Sequence, residues 1–286
     1  MASETPAKRP KSAKDVPYHL VYWPGIPGRG EHIRLALEEG AADYIDTAFT
    51  EGGVGEVLEF VQGKAPDDGI NPPPCAPPIL KHGDLVISQT PNILLYLGPR
   101  LGLVPDVNED PDALYRINGL ALTALDGLSN EPHDCHHPIA SGLYYEDQKV
   151  ESKRKSEDYV KNRLPKFLSY FERVLGSKAS GGGPWLYGGS VTYADLVLFQ
   201  VCRLYPPHQR LVSDRKFLFD QCVDGIKFMF PKAMAKLERE GGHAGVFALH
   251  KAVSEQPRIK AYLESPRRQK YSNGIYRYYE ELDIEP

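Results

Sequence analysis

Tyr18-His19-Leu20-Val21-Tyr22-Trp23-Pro24-Gly25-Ile26-Pro27-Gly28-Arg29-Gly30-Glu31-His32-Ile33-Arg34-Leu35-Ala36-Leu37-Glu38-Glu39-Gly40 is the stretch on which the fold is decided. His19–Trp23 is rich in strand formers. The prolines and glycines of Pro24–Gly28 must end that strand. From Arg29 to Glu39 the spacing turns helical, with Ile33, Ala36 and Leu37 as a buried stripe and Glu31, Arg34 and Glu38 on the polar side. Gly40 closes the helix. The glycines between strand and helix run G-x-x-G-x-G, not the G-x-G-x-x-G of a dinucleotide turn. No Gly-Lys-Ser/Thr comes after them, so the P-loop reading fails as well.

Working outward, Tyr44–Phe49 reads as a second strand. Glu51–Pro74 is a long Gly- and Asp-rich connection with a short helix at Glu56–Val61, and loops of that length tend to touch a ligand or partner. Pro78–Lys81 and Leu85–Ser88 flank His82-Gly83-Asp84 as a hairpin. Thr90 is an N-cap and Pro91 a first-turn proline for a helix to about Leu97. After Leu101–Asp106 the pattern becomes helical only: Leu114–Leu128, Lys153–Leu175, Tyr193–Val201, Phe230–Arg239 and Val246–Val253. Thr192 and Asp195 form a capping box. The predicted organisation is a disordered tail over 1–16, an α/β domain over 17–101 and a linker over 102–110. An all-helical domain occupies 111–265, interrupted by an inserted excursion at 203–221. The tail over 266–286 carries Tyr271, Tyr276, Tyr278 and Tyr279, which could form a lid or pack between the domains.

The chain has 286 residues, 41% hydrophobic and 25% charged, with a formal net charge of -4. These values exclude wholesale disorder and give no electrostatic case for nucleic acid. No apolar run reaches the length of a membrane-spanning helix, and no secretory signal is visible. Cys75, Cys135, Cys202 and Cys222 form no C-x-x-C pair and read as reduced thiols of a cytoplasmic protein.

Three blocks together resemble the tyrosine-type cytosolic glutathione transferases of the mu, pi and sigma group. They are Tyr18–Pro24 with Gly28-Arg29-Gly30 and Ile33–Leu35; Pro78–Leu85 with Ser88-Gln89-Thr90 and Ile93-Leu94; and Ser190–Asp195. The resemblance runs from Tyr18 to about Leu263. It implies an α/β plus all-α fold, a thioredoxin-like domain followed by a helical glutathione transferase domain, assembled as a homodimer. It implies glutathione as co-substrate, a small hydrophobic electrophile as partner, and no metal. By position, Tyr22 matches the tyrosine whose hydroxyl contacts the glutathione sulfur, and Pro78 the cis-proline beside the tripeptide. Gln89 and Thr90 match the pair that holds the γ-glutamyl end, and Arg29 a residue near the active site of pi-type members. Asp126 aligns with the acidic residue that reaches the neighbouring subunit's glutathione, and Trp23 and Pro77 fall among the glutathione-contacting positions. Pro77 departs from the pattern: the usual residue there offers a backbone N–H to the cysteinyl group, and proline has only its carbonyl.

The chemistry is sufficient without a metal. Lowering a thiol from about 8.5 by about two units requires roughly 2.7 kcal/mol of preference for the anion. A hydrogen bond to a charged group contributes about 1.5–3 kcal/mol, and the start of the helix near Arg29 adds its dipole. Tyr18 shares the strand face of Tyr22 and is its rival; the spacing to Pro24 and Arg29 favours Tyr22. Cys75 would suggest a glutaredoxin-like enzyme, but the first helix start carries no cysteine. Glu131-Pro132-His133-Asp134-Cys135-His136-His137-Pro138 places His133 and His137 at i, i+4. The flanking prolines argue against a regular helix through all of it, and with it against zinc. In the family the first helices of the second domain line the electrophile pocket. His133, His136 and His137 are the pocket candidates; His136 and His137 could act as acids or orient a leaving group, or the cluster could simply pack. A non-catalytic protein binding glutathione conjugates or hydrophobic ligands, and a structural module that has lost catalysis, are the other readings of the same fold.

Overall fold

The computed structural model describes residues 16–201, 225–270 and 274–285. The expected disordered tail up to residue 15, the insertion 203–221 and Tyr271 lie outside the described residues. By compactness the chain divides into two units, Met1–Pro24 with Ala42–Gln89 and Gly25–Ala41 with Thr90–Pro286, as far as these are described.

The first unit is built on four strands in the order β2-β1-β3-β4. β1 (Tyr18–Val21) pairs in parallel with β2 (Tyr44–Asp46) and antiparallel with β3 (Ile79–His82), and β3 pairs antiparallel with β4 (Leu85–Ser88). Parallel neighbours need a crossover connection, and the chain between β1 and β2 contains the helix α1 (Gly30–Glu39). Val21, Val57 and Ile79 form the buried core of the unit, with Trp23, Phe60 and Val86 packed on it. α2 (Gly53–Val61) begins three residues earlier than the sequence predicts. The expected strand Tyr44–Phe49 is corrected. β2 ends at Asp46, whose Oδ1 accepts the Ala48 N–H at 2.9 Å and turns Thr47–Phe49 into a 3-10 helix. That local side-chain bond competes with the sheet ladder and wins.

The second unit is helical. It holds α1, α3 (Thr90–Arg100), α4 (Ala113–Leu125), α5 (Glu131–His136), α6 (Lys149–Asp158) and α7 (Leu164–Leu175). Further along the chain come α8 (Tyr193–Val201), α9 (Gly225–Met229), α10 (Pro231–Glu240), α11 (Ala244–Ser254) and α12 (Pro257–Leu263). α8 is apolar on nearly every side, and it packs against α1, α4, α9 and α11. Gly98 of α3 is required beside it, since a Cβ there would stand 2.7 Å from the Tyr193 ring.

The long helices expected at Leu114–Leu128 and Lys153–Leu175 are each interrupted by a π-turn, at Asp126–Asn130 and Tyr159–Arg163. The two turns face each other. The Tyr159 hydroxyl donates to the Gly127 carbonyl at 3.1 Å, and Arg163 forks onto both oxygens of Glu131 at 2.9 and 2.5 Å. The Phe167 ring fills the space where a Cβ on Gly127 would stand, 2.3 Å away. A π-turn leaves carbonyls without their usual helical partner, and here a tyrosine from across the unit supplies one.

The capping box is present in its acidic half and corrected in the other. Asp195, fully buried, accepts the Thr192 N–H at 2.7 Å, the Thr192 hydroxyl at 2.6 Å and the Leu186 N–H at 2.8 Å. The carboxylate gathers the donors, and the Thr192 hydroxyl gives its proton to Asp195 instead of accepting a backbone N–H. Burial pushes the Asp195 carboxyl up to about 6 against the pull of these donors. Asp195→Asn turns an amide N–H₂ onto at least one of them. We expect a loss of about 1–3 kcal/mol, read as a lower midpoint in urea unfolding with an unchanged slope.

Candidate functional site

Tyr22 lies one residue beyond β1 and is 5% exposed. Its backbone N–H donates to Thr47 Oγ1 at 2.9 Å, and the same hydroxyl donates back to the Tyr22 carbonyl at 2.9 Å. Trp23 is half-buried against the core of the sheet unit. The Pro77–Pro78 peptide is cis, with Pro78 buried and Pro77 partly exposed. Gln89 comes directly after β4 with φ 73°, in the left-handed region that non-glycine residues rarely occupy. Such strained residues persist where the surroundings hold them, and they cluster at ligand sites. Tyr22, Trp23, Pro77, Pro78 and Gln89 thus all fall at strand ends or the loop ahead of β3. Thr47 carries no signal in the sequence, where it reads as one more strand residue.

In the helical unit, Thr90 opens α3 and is 2% exposed. The expected cap is corrected: Thr90 is already helical and its Oγ1 has no hydrogen-bond partner among the described residues. A buried hydroxyl beside free N–H groups of a first helical turn can hold a carboxylate. Arg29 is exposed and donates from Nη2 to Asn130 Oδ1 at 2.8 Å. Asn130 in turn donates to Asp126 Oδ1 at 3.4 Å. The π-turn therefore carries Asp126 and Asn130 on one short segment and links Arg29 to both. Asn130 was missed, since the link depends on a π-turn that no spacing announces.

α1 is buried on more sides than its predicted polar face allows. Glu31, His32 and Arg34 are all fully buried. Glu31 receives the Tyr262 hydroxyl at 2.8 Å and Arg34 Nη1 at 3.3 Å, and it is paired with Arg268 as well. Arg34 also donates to the Pro27 carbonyl at 3.1 Å, which fixes the loop ahead of the helix. His32 has both ring nitrogens without a hydrogen-bond partner among the described residues. Burial, with Arg29 and Arg268 nearby, pushes its pKa down to about 3.

The three histidines come together, with ring centroids 5.1 Å apart for His133 and His136, 5.2 Å for His133 and His137, and 4.6 Å for His136 and His137. α5 includes Pro132 near its start, where no N–H is needed, and stops at His137 ahead of Pro138. Among the described residues no group of three or more His, Cys, Asp or Glu side chains is arranged to hold a metal ion. His136 is fully buried, and its Nε2 lies 2.8 Å from the Ile275 carbonyl, so Nε2 carries the proton. His137 Nδ1 is 3.4 Å from Gln148 Nε2. His136 thus holds the C-terminal segment in place. That segment is further pinned by the Tyr276 hydroxyl on the Leu128 carbonyl at 2.9 Å and by Tyr279 stacked on Tyr145 at 3.7 Å. Cys135, beside them, is buried with its thiol pushed up to about 12, and is inert.

Residues 133–266 match the family described as "Glutathione S-transferase, C-terminal domain". Glutathione S-transferase P of Bos taurus is 26% identical over 250 residues, covering 87% of this chain and 93% of its own. Glutathione S-transferase Mu 2 of Rattus norvegicus is 28% identical over 207 residues, covering 67% and 79%. The pi-class glutathione S-transferase structure from Onchocerca volvulus has a TM-score of 0.56 at 21% identity, covering 86% of this chain and 92% of that one. The fold is therefore the one the sequence predicts, and the resemblance to the mu and pi types is borne out.

Burial lowers all three clustered histidines, His136 to about 3, so folding keeps these imidazoles neutral while the unfolded chain protonates near 6.5. Stability is therefore full above about pH 6.5 and falls as the pH drops towards the folded values, by up to about 1.4 kcal/mol per pH unit for the buried His136 and by less for the more exposed His133 and His137. In His136→Gln we expect the acid-side fall in melting temperature between pH 6.5 and 4 to become shallower than in the wild type.

Proposed function

We propose that this relative of the mu and pi cytosolic glutathione S-transferases is itself a glutathione transferase. Tyr22 keeps the bound tripeptide's sulfur ionised by donating its phenolic hydrogen, and the thiolate attacks a small hydrophobic electrophile. Gln89 and Thr90 hold the γ-glutamyl end at the start of α3. The cis Pro77–Pro78 segment lies along the cysteinyl backbone, with only the Pro77 carbonyl to offer. Arg29 acts near the thiol and Asp126 reaches the tripeptide of the neighbouring subunit, as their matching family positions imply, with Asn130 bonded to both. On the same reading the protein works as a cytoplasmic homodimer.

The observation that carries the reading is the pair Gln89 and Thr90. A non-glycine residue at φ 73° immediately precedes a buried hydroxyl without a partner among the described residues at a helix start. Neither feature helps the fold by itself: the first is strained and the second leaves a polar group unsatisfied. A glutathione carboxylate would satisfy the Thr90 hydroxyl, and the strained Gln89 backbone would present that residue to the same γ-glutamyl end. Tyr22 supplies the remaining requirement, a donor whose bond to an anion matches the roughly 2.7 kcal/mol that the thiol shift needs.

Turnover of a chlorodinitrobenzene-type electrophile tests the reading. Tyr22→Phe removes one hydrogen bond to a charged group, worth about 1.5–3 kcal/mol, so kcat/KM should fall about 10- to 100-fold. Unchanged turnover would remove Tyr22 from the mechanism. Thr90→Val should raise the KM for glutathione severalfold and leave kcat near its wild-type value, because the hydroxyl acts on binding and not on the reacting sulfur.

A further inference from the structure

We infer that Thr47 is the positioning residue for the phenol of Tyr22, an inference that rests on the proposed role of that tyrosine. The parallel ladder between β1 and β2 ends at the pair Leu20–Asp46, and the antiparallel ladder between β1 and β3 ends at Val21–Ile79. Tyr22 therefore stands just past both ladders. Its backbone would lose the sheet at the point where its side chain must be aimed. One oxygen replaces the missing ladder, since Thr47 Oγ1 accepts the Tyr22 N–H and donates to the Tyr22 carbonyl, both at 2.9 Å. A hydroxyl is suited to this because it donates and accepts at the same atom.

The anchor itself has little slack. Thr47 is 1% exposed, and its β-branched side chain has restricted rotamers. Asp46 fixes the turn that presents it, through the bond to the Ala48 N–H. The Thr47 carbonyl accepts the Thr50 N–H at 3.2 Å, and Gly53 is packed so closely behind that a Cβ there would stand 1.9 Å from the same carbonyl oxygen. A tyrosine hydroxyl sits about 6 Å from its own Cα, so a backbone tilt of about 10° moves it by about 1 Å. An error of that size is enough to cost up to about 100-fold in a positioned reaction. The clamp acts on the short end of that lever.

The test uses the full chain with bound glutathione, and its readout is the ultraviolet absorbance of the thiolate titrated against pH. Thr47→Val, nearly the same shape without the hydroxyl, should raise the apparent pKa of the bound thiol by about one unit towards the free value of about 8.5. It should also lower kcat about tenfold while the KM for glutathione stays within about twofold. Thr47→Ser, which keeps the hydroxyl, should return both towards wild type. If the valine variant fails to fold, Thr47→Ala removes the same hydroxyl in a side chain that cannot clash. A lower melting temperature with a wild-type thiol titration in Val and Ala variants would make Thr47 merely structural and overturn the inference. Tyr22→Phe separates the two levels. If it leaves the bound thiol's titration unchanged, the proposed role of Tyr22 fails. If it raises that pKa while Thr47→Val and Thr47→Ala do not, only the inference fails.

Discussion

The bond from the Ala48 N–H to Asp46 Oδ1, 2.9 Å long, decides more of the sheet unit than any apolar contact. It stops β2 after three residues and converts Thr47–Phe49 into a 3-10 turn. Had β2 continued, the Thr47 hydroxyl would point from one face of a regular strand and could not reach both backbone groups of Tyr22. Because the strand stops, that hydroxyl is delivered into the gap where β1 leaves the sheet. The glycines Gly52 and Gly53 are explained by the same turn. Gly52 takes φ 76°, and Gly53 lies where no side chain fits.

Much of this was legible in the sequence, and the reason is local. The run from Tyr18 to Gly40 announces a strand, a break and a helix through residue types alone, and α8 was placed at Tyr193–Val201 as observed. The hairpin around Gly83 and the helix after Gln89 were likewise written in their turn residues. The features that could not be read were set by partners far away in the chain. Burial of Glu31 and Arg34 depends on Tyr262 and Arg268, more than two hundred residues on. The strand ending at Asp46 turns on a competition between a side chain and a ladder, which propensity alone leaves undecided. Two of the three residues predicted for the polar face of α1, Glu31 and Arg34, are thus paired inside and not solvated.

The π-turns show why the helical unit reads as longer helices than it has. Both segments keep the apolar period, so nothing in the spacing marks the extra residue. The turns sit against each other, with Tyr159 of the second donating to the Gly127 carbonyl of the first and Arg163 paired with Glu131 just after it. Their by-product is useful. The first turn carries Asp126 and Asn130 together on one short segment, where Asn130 meets Arg29.

Two helices of this unit have their starts closed by carboxylates from distant segments. Glu172 receives the Gly245 and Val246 N–H groups at the start of α11, and Asp283 receives the Lys232 N–H at the start of α10. The donors at α11 are synthesised well after their acceptor, but the donor at α10 is made 51 residues before its own. On the ribosome α11 emerges to find its cap already waiting, whereas α10 emerges with an open end. The start of α10 is therefore closed only by a carboxylate 51 residues further along the chain, whereas that of α11 is closed by one that precedes it.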